Sequence, residues 1–581
     1  MLKRTGLIIL TLCLLLVCVA CSKDEDISNK NKDLKDFYGY TEIAGKDTHI
    51  VVCDGNLIGM GFVDNGQVYV PYKEYRKNVD NKCYIDKNEK MLVYTTATNI
   101  YDSYVGTSEY TDFDGNSQIF GCNISVEVNG EYYVSAEFLK AFGARIDYKI
   151  ISQPNRIVMT SDFSNKVYFA SEDTNIRTDA SDRMDILSSV KKGDSLIWVS
   201  DKDDYSLVTD SNGVTGYVKK SSLGKETMVQ DERENVPEEY THLNSDKKIC
   251  LGWHQMINEV GNDNLASMVD DAESLNVISP TWYKLSDKNG GITSFSDKSY
   301  VKKAHEKGIE VWALINDFDY DEDGNYYVTE VLSHSTARRK LIKNLVSDVK
   351  DKGIDGINVD FECIGIEIAD DYVEFICELS VWCRKEGIVL SVDMYVPSSI
   401  NEYYNRKTVL EVADYLVIMG YDEHWAGAPQ AGSVASLPYV EKGIKDTIEQ
   451  GGAANRIINA IPFYTRIWSE TPIEYAEPGS QIVDDNIKGS YALDSRAVGF
   501  GTAEKELEKF GVNKFWVEDL SQYYAEYQEG NSLMRVWLEE EKSVTAKLDV
   551  MRNYDLGGVA CWRLGLEEEW VWGIIADYVN E

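Results

Sequence analysis

Residues 355–362 read Asp-Gly-Ile-Asn-Val-Asp-Phe-Glu, with polar and apolar side chains in alternation. Gly356, Ile357, Val359 and Phe361 suit a β-strand that enters a core. Side chains two apart on a strand face the same way, so Asn358, Asp360 and Glu362 form one polar row. Burying two carboxylates on one face of an apolar strand is costly unless they do chemistry. A close pair forces the two acidities apart. Glu362, at the strand's C-terminal end, is then the group placed to stay protonated as a general acid. The competing reading is an ion-paired or helix-capping acidic strand end with no chemistry.

Such a strand needs a scaffold. From residue 247 to 581 strand patterns alternate with helical ones, which predicts a parallel α/β architecture. The strand candidates are 249–255, 276–282, 310–316, 356–362, 388–396, 415–421, 456–465 and 557–563, with amphipathic helices such as 335–352 and 370–386 between them. This count fits a closed (β/α)8 TIM barrel, in which catalytic groups gather at the C-terminal strand ends. Glu362, Tyr421 and Trp562 fall at those ends. The Tyr- and Trp-rich stretch 466–541 is too long for a plain loop and reads as an α+β insertion.

Three smaller pieces precede the barrel. Residues 46–162 carry short alternating strands, and Gln67-Val-Tyr-Val-Pro-Tyr-Lys-Glu-Tyr75 is echoed by Glu131-Tyr-Tyr-Val-Ser-Ala-Glu-Phe-Leu139. Each reads as a hairpin strand running into a short helix, in an α+β spacer module. Residues 165–224 read as a small all-β unit of short strands separated by Asp, Gly and Ser turns. Residues 225–246 form an acidic linker.

Composition bounds the partners. The 581 residues include 37 Tyr and 12 Trp, are 43% hydrophobic, and carry a formal net charge of −38. That charge argues against nucleic acid and anionic membrane surfaces and permits neutral ligands such as glycans. Six His, with no HExxH, offer no obvious metal ligands, so neither metal nor cofactor is expected. Nothing demands an oligomer, and a monomer is expected. Met1-Leu-Lys-Arg followed by the apolar run 7–20 reads as an export signal, because a membrane span needs about 20 apolar residues. Val17-Cys-Val-Ala-Cys21 resembles a bacterial lipoprotein box, although Cys18 stands where Leu is usual. It implies lipidation at Cys21, a tether over 21–45, and anchoring on the extracytoplasmic face of a bacterial membrane. The eight cysteines after Cys21 lack a compact framework and read as buried free thiols.

Asp355-Gly-Ile-Asn-Val-Asp-Phe-Glu362 resembles the DxxDxDxE motif of glycoside hydrolase family 18, the chitinase-like barrels. Met419-Gly-Tyr421-Asp422 resembles that family's MxYD motif, and Trp562 its sugar-floor Trp on the eighth strand. Residues 276–282, Tyr464, Arg466, Trp468 and Trp537 are similar to the bacterial spore and cell-wall hydrolase subgroup. The resemblance implies a retaining, substrate-assisted β-N-acetylglucosaminidase on peptidoglycan. Glu362 would be the general acid/base, Asp360 the stabiliser of an oxazolinium ion, and Tyr421 the holder of the acetamido oxygen. Asp422, Trp562, Met419, Trp282, Tyr464, Arg466 and Trp468 would bind sugar. Asn358 stands where chitinases carry Asp; it would keep a hydrogen bond to Asp360 but could not take up a proton. Chitin and N-glycans are alternative substrates, and a non-catalytic lectin is the alternative class, disfavoured because Glu362 is present. Residues 46–162 resemble the stalk module of some copper amine oxidases, with no copper implied. Residues 165–224 resemble a bacterial SH3-like domain, which either binds wall peptide or spaces other domains.

Overall fold

The computed structural model describes residues 27–161, 164–230, 240–485 and 489–581. The export signal, Cys21 and the start of the tether lie outside the described residues, as do residues 231–239 of the linker. The chain divides into two compact units, Met1–Cys83 with Asp102–Glu238, and Tyr84–Tyr101 with Glu239–Glu581.

The first unit holds two seven-stranded sheets. In one, the strands Gln67–Pro71 and Glu131–Ser135 pair antiparallel, and each runs into a helix, Tyr72–Asn78 and Ala136–Ala141. That is the strand-then-helix repeat the sequence echo predicts. The other sheet, within residues 164–230, is wholly antiparallel and closes over Ile176, Leu196, Val208 and Val218.

The second unit is built on eight parallel strands: β1 Ile249–His254, β2 Val277–Pro280, β3 Glu310–Asn316, β4 Gly356–Asp360, β5 Val389–Tyr395, β6 Tyr415–Met419, β7 Ile457–Pro462 and β8 Gly558–Trp562. Each pairs with the next, and Ile249 of β1 opposite Gly558 of β8 closes the ring. Alternation along the strands makes two layers. Ile249, Leu251, Trp253, Trp312, Leu314, Tyr415, Val417, Ile458 and Ala460 fill the interior. The residues between them, such as Cys250, Val311, Ala313, Leu416 and Ile418, pack under the surrounding helices. This is the expected TIM barrel.

Two long helices, α1 Ser335–Lys352 and α2 Ala369–Glu386, deliver the chain to β4 and β5. Each stops at a glycine in the left-handed region, Gly353 at φ 74° and Gly387 at φ 69°. A Cβ is disfavoured there, so glycine allows the tight reversal into the next strand. Residues 84–101 pack on these helices. The Tyr84 hydroxyl donates to Asp371 at 2.5 Å, Thr95 to Glu374 at 2.7 Å, and Asp86 accepts from the Ser335 N–H at 2.6 Å, at the start of α1.

The insertion after β7 is a six-stranded sheet, with strands including Tyr464–Pro472, Gly489–Gly499 and Ser532–Leu538. The helix Phe500–Phe510 covers it, around Ile467, Ala503, Leu507, Ala525 and Val536. The α+β insertion predicted for 466–541 is therefore present. Six of the eight cysteines after Cys21 are buried.

Candidate active site

The inward row of β4 places Asn358 and Asp360 at the barrel's C-terminal mouth, both buried. The strand ends at Asp360, two residues earlier than the sequence predicts. The reason is Asp317, just past β3, whose two carboxylate oxygens accept the backbone N–H groups of Glu362 and Cys363 at 2.9 Å each. Those amides leave the sheet ladder, and the carboxylate fixes the backbone that carries Glu362.

Asn358 makes a full set of hydrogen bonds. Its Oδ1 accepts from Trp253 Nε1 at 2.9 Å and Ser279 Oγ at 3.0 Å. Its Nδ2 donates to Ser391 Oγ at 3.0 Å and to Asp393 Oδ1 at 2.7 Å. The indole can only donate, so the amide's orientation is fixed. The expected hydrogen bond from Asn358 to Asp360 is therefore not formed. Both amide hydrogens are taken by β5, and Asp360 Oδ1 is left buried without a partner.

Four carboxyls crowd this mouth. Burial pushes Asp360 well above the usual carboxylate range, and negative charge on Glu362, Asp393 and Asp317 pushes further. Asp393 is likewise raised well above it by burial and by Glu362, against the pull of the Asn358 amide. Burial raises Glu362 too; the Tyr395 hydroxyl, hydrogen-bonded to it, pulls the other way and Asp422 adds to the rise. Asp317 is pushed up to about 7, mainly by burial. Among the described residues no cation figures in the charges acting on Asp360, Glu362 and Asp393. Like charges confined in low dielectric cannot all ionise together, so the cluster holds protons to higher pH than free carboxyls do.

Around it stand the β6 residues. Met419 is buried at the strand end, and the Tyr421 hydroxyl lies in the field of Asp360, Glu362 and Asp393. Asp422 adopts φ 56°, a left-handed turn that Asp tolerates better than most side chains. It accepts a hydrogen bond from the Tyr464 hydroxyl at 2.5 Å. The Tyr464 and Tyr421 rings meet edge to face at 6.3 Å. Trp562, partly buried, closes β8 and packs edge-on against Trp253 at 5.8 Å. Arg466 donates to Ser495 at 3.1 Å, and its charge reaches Tyr464.

Two predicted sugar contacts are placed differently. Trp282 and Trp468 are both fully buried, 0% exposed, and present no ring face to a ligand. Trp282 donates to Asn262 at 2.9 Å and packs on Tyr300, while Trp468 donates to the Gly432 carbonyl at 2.9 Å. Asp317, Asp393 and Tyr395 complete the site and were not singled out from sequence. Asp393 and Tyr395 carried a readable signal, as polar groups in or at the end of an apolar strand.

A closed parallel barrel with acids at the C-terminal mouth defines a barrel enzyme of the acid-catalysing kind. The family model "Glycosyl hydrolases family 18" matches residues 264–567. The chain belongs to glycoside hydrolase family 18, and it is a glycosidase. It is 28% identical over 306 residues to the uncharacterized glycosylase YvbX of Bacillus subtilis, covering 50% of this chain and 80% of that protein. It is 22% identical over 268 residues to the cortical fragment-lytic enzyme of the same organism, covering 43% of this chain and 56% of that protein. The chain thus spans little more than half the length of the latter relative. The C-terminal domain of a protein named as a chitinase from Desulfitobacterium hafniense superposes with a TM-score of 0.50 at 20% identity, covering 57% of this chain and all of that domain. That likeness concerns the fold alone.

Proposed function

We propose that the barrel is a retaining, substrate-assisted β-N-acetylglucosaminidase acting on peptidoglycan-type glycan. The observation that carries this is the pair Asp360, buried at the end of β4, and Glu362, half-buried two residues on, both raised above the usual carboxylate range and both beside the Tyr421 hydroxyl. The glycosidic oxygen is a poor leaving group, and Glu362 gives it a proton as the bond to the anomeric carbon breaks. The oxygen of the substrate's own 2-acetamido group forms the new bond to that carbon, giving an oxazolinium ion. The Asp360 carboxylate faces the N–H of this cation, and Tyr421 donates to the acetamido oxygen. Asp422, steadied by Tyr464, orients the sugar hydroxyls, and Trp562 floors it. Water then opens the ring, returning a proton to Glu362 with retention.

The cortical fragment-lytic relative supports a cell-wall substrate. With it goes an exported enzyme, lipid-anchored at Cys21 and acting as a monomer on the extracytoplasmic face. Among the described residues no helix is long and apolar enough to cross a membrane. The test is digestion of purified peptidoglycan and of chitooligosaccharides by wild type and Glu362→Gln, with reduced ends identified by mass spectrometry. N-acetylglucosamine ends released from peptidoglycan, and lost by about a thousandfold in the variant, are the expected result. Cleavage of chitooligosaccharides alone moves the substrate to chitin. Binding without hydrolysis overturns the reading.

A further inference from the structure

Two carboxyls of the site have no part in the steps above: Asp317, which holds the backbone at Glu362 and Cys363, and Asp393. Asp393 sits in the middle of β5, in the apolar run Val389–Tyr395, and is only 2% exposed. The β4–β5 register, Asn358 opposite Ser391 and Val359 opposite Val392, brings Asp393 level with Asp360 on the neighbouring strand. Asp393 Oδ1 takes the Asn358 amide hydrogen, and its Oδ2 is buried with no partner. Asp360 Oδ1 is also buried with no partner. Two adjacent strands thus present two unsatisfied carboxyl oxygens, an arrangement that costs stability unless one proton serves both. Asn358 cannot supply that proton, because an amide does not titrate in the accessible range and its hydrogens are committed.

Resting on the proposed function, we infer that Asp393 is a positioning residue for the reaction, exchanging one proton with Asp360. With the substrate's acetamido group absent, the proton neutralises Asp360. As the oxazolinium develops, the Asp360 O–H bond breaks and an Asp393 Oδ2–H bond forms. Negative charge passes from Asp393 to Asp360, where it faces the cation. The pair keeps one proton and one negative charge throughout, and no further reactant is needed. The groups that face Asp393 are Asp360 and Asn358 from β4, Glu362 beyond it, Tyr421 after β6, Tyr372 from α2, and Ser391 on its own strand. None is a cation that would hold Asp393 ionised. Burial favours its neutral form, the Asn358 amide at Oδ1 favours the ionised form it holds at rest, and negative charge on Glu362 favours uptake of the proton.

The test uses the full-length protein, with wild type, Asp393→Asn, and the exchange Asn358→Asp with Asp393→Asn, followed by kcat against pH on the substrate found above. Asparagine at 393 keeps an acceptor for the Asn358 amide, so packing is preserved. Asp393→Asn is expected to lower kcat about tenfold or more and to remove one limb of the pH profile. The exchange, which returns a second carboxyl on β4, is expected to recover a limb and at least a third of the lost rate. Thermal unfolding gives a readout independent of activity. A buried acid with raised pKa costs stability as pH rises. Asp393→Asn should therefore gain about 2 °C or more on wild type between pH 5 and pH 8. A Glu362-dependent wild type whose rate, profile and melting behaviour Asp393→Asn reproduces would overturn the relay while leaving the proposed function standing. A wild type that hydrolyses no N-acetylated glycan would overturn both.

Discussion

Behind the barrel sheet, Arg338 of α1 and Glu378 of α2 are wholly buried and meet at 2.7 Å. At the mouth, Asp360 and Asp393 are buried nearly as deeply, with no cation among the described residues acting on either. The first arrangement is complete. Arg338 also donates to the Leu332 carbonyl at 2.7 Å and Ser335 at 3.1 Å, and lies over the Tyr84 ring at 4.8 Å. Arg339 donates to the other Glu378 oxygen at 3.0 Å. The two arginines hold Glu378 below its usual range against the cost of burial. The acid cluster is incomplete in the same sense, since two of its oxygens have no partner and its members are all raised. Buried charge satisfied from within the protein holds helices together. Buried carboxyls left unsatisfied are suited to answering a positive charge that forms only during reaction.

The sharpest way to break the comparison is Arg338→Met. It strands the Glu378 carboxylate in the core and should cost about 3–5 kcal/mol, measured by denaturant unfolding, with kcat per folded molecule unchanged. Asp360→Asn should do the opposite. Activity should fall about a hundredfold, while stability at neutral pH stays level or rises, because one of the mutually repelling acids is removed from the cluster. A stability profile against pH sharpens the same contrast by a smaller amount. Glu378, whose folded pKa is depressed, contributes stability above its unfolded pKa that is lost as pH falls through the folded one. Asp317, raised to about 7, contributes stability that is full below its unfolded pKa and is lost as pH rises toward 7. The expected outcome is a dome, with the alkaline shoulder flattened in Asp360→Asn and the acid shoulder in Glu378→Gln.

The barrel was legible because its signal is local. Each strand is a short apolar run, each helix an amphipathic one, and the excursion after β7 was too long to be a loop. Asp360, Glu362 and Tyr421 were legible because spacing and strand-end position point to them directly. Asp317 was not, since a lone acid past a strand end acquires meaning only from what a neighbouring strand sets beside it; Asp393 was marked only as a polar group inside an apolar strand, and its role too depends on the strand beside it. The partner of Asn358 was misjudged for the same reason. Along the chain Asp360 is nearer, but across the sheet β5 supplies the better acceptor. Trp282 and Trp468 show the converse, because a large aromatic near a strand end reads alike whether it lines a groove or fills a core.

Residues 84–101 group with the barrel although the chain on both sides of them belongs to the first unit. The backbone therefore passes between the two units three times, at 83/84, 101/102 and 238/239. A protease that nicks the acidic stretch 225–246 divides the polypeptide into two fragments, and the N-terminal one keeps residues 84–101. That segment then holds its fragment to the barrel by the noncovalent contacts of Tyr84, Asp86 and Thr95 with α1 and α2. An attachment made through the N-terminal residues therefore rests, after a single cleavage, on the packing of the 84–101 segment.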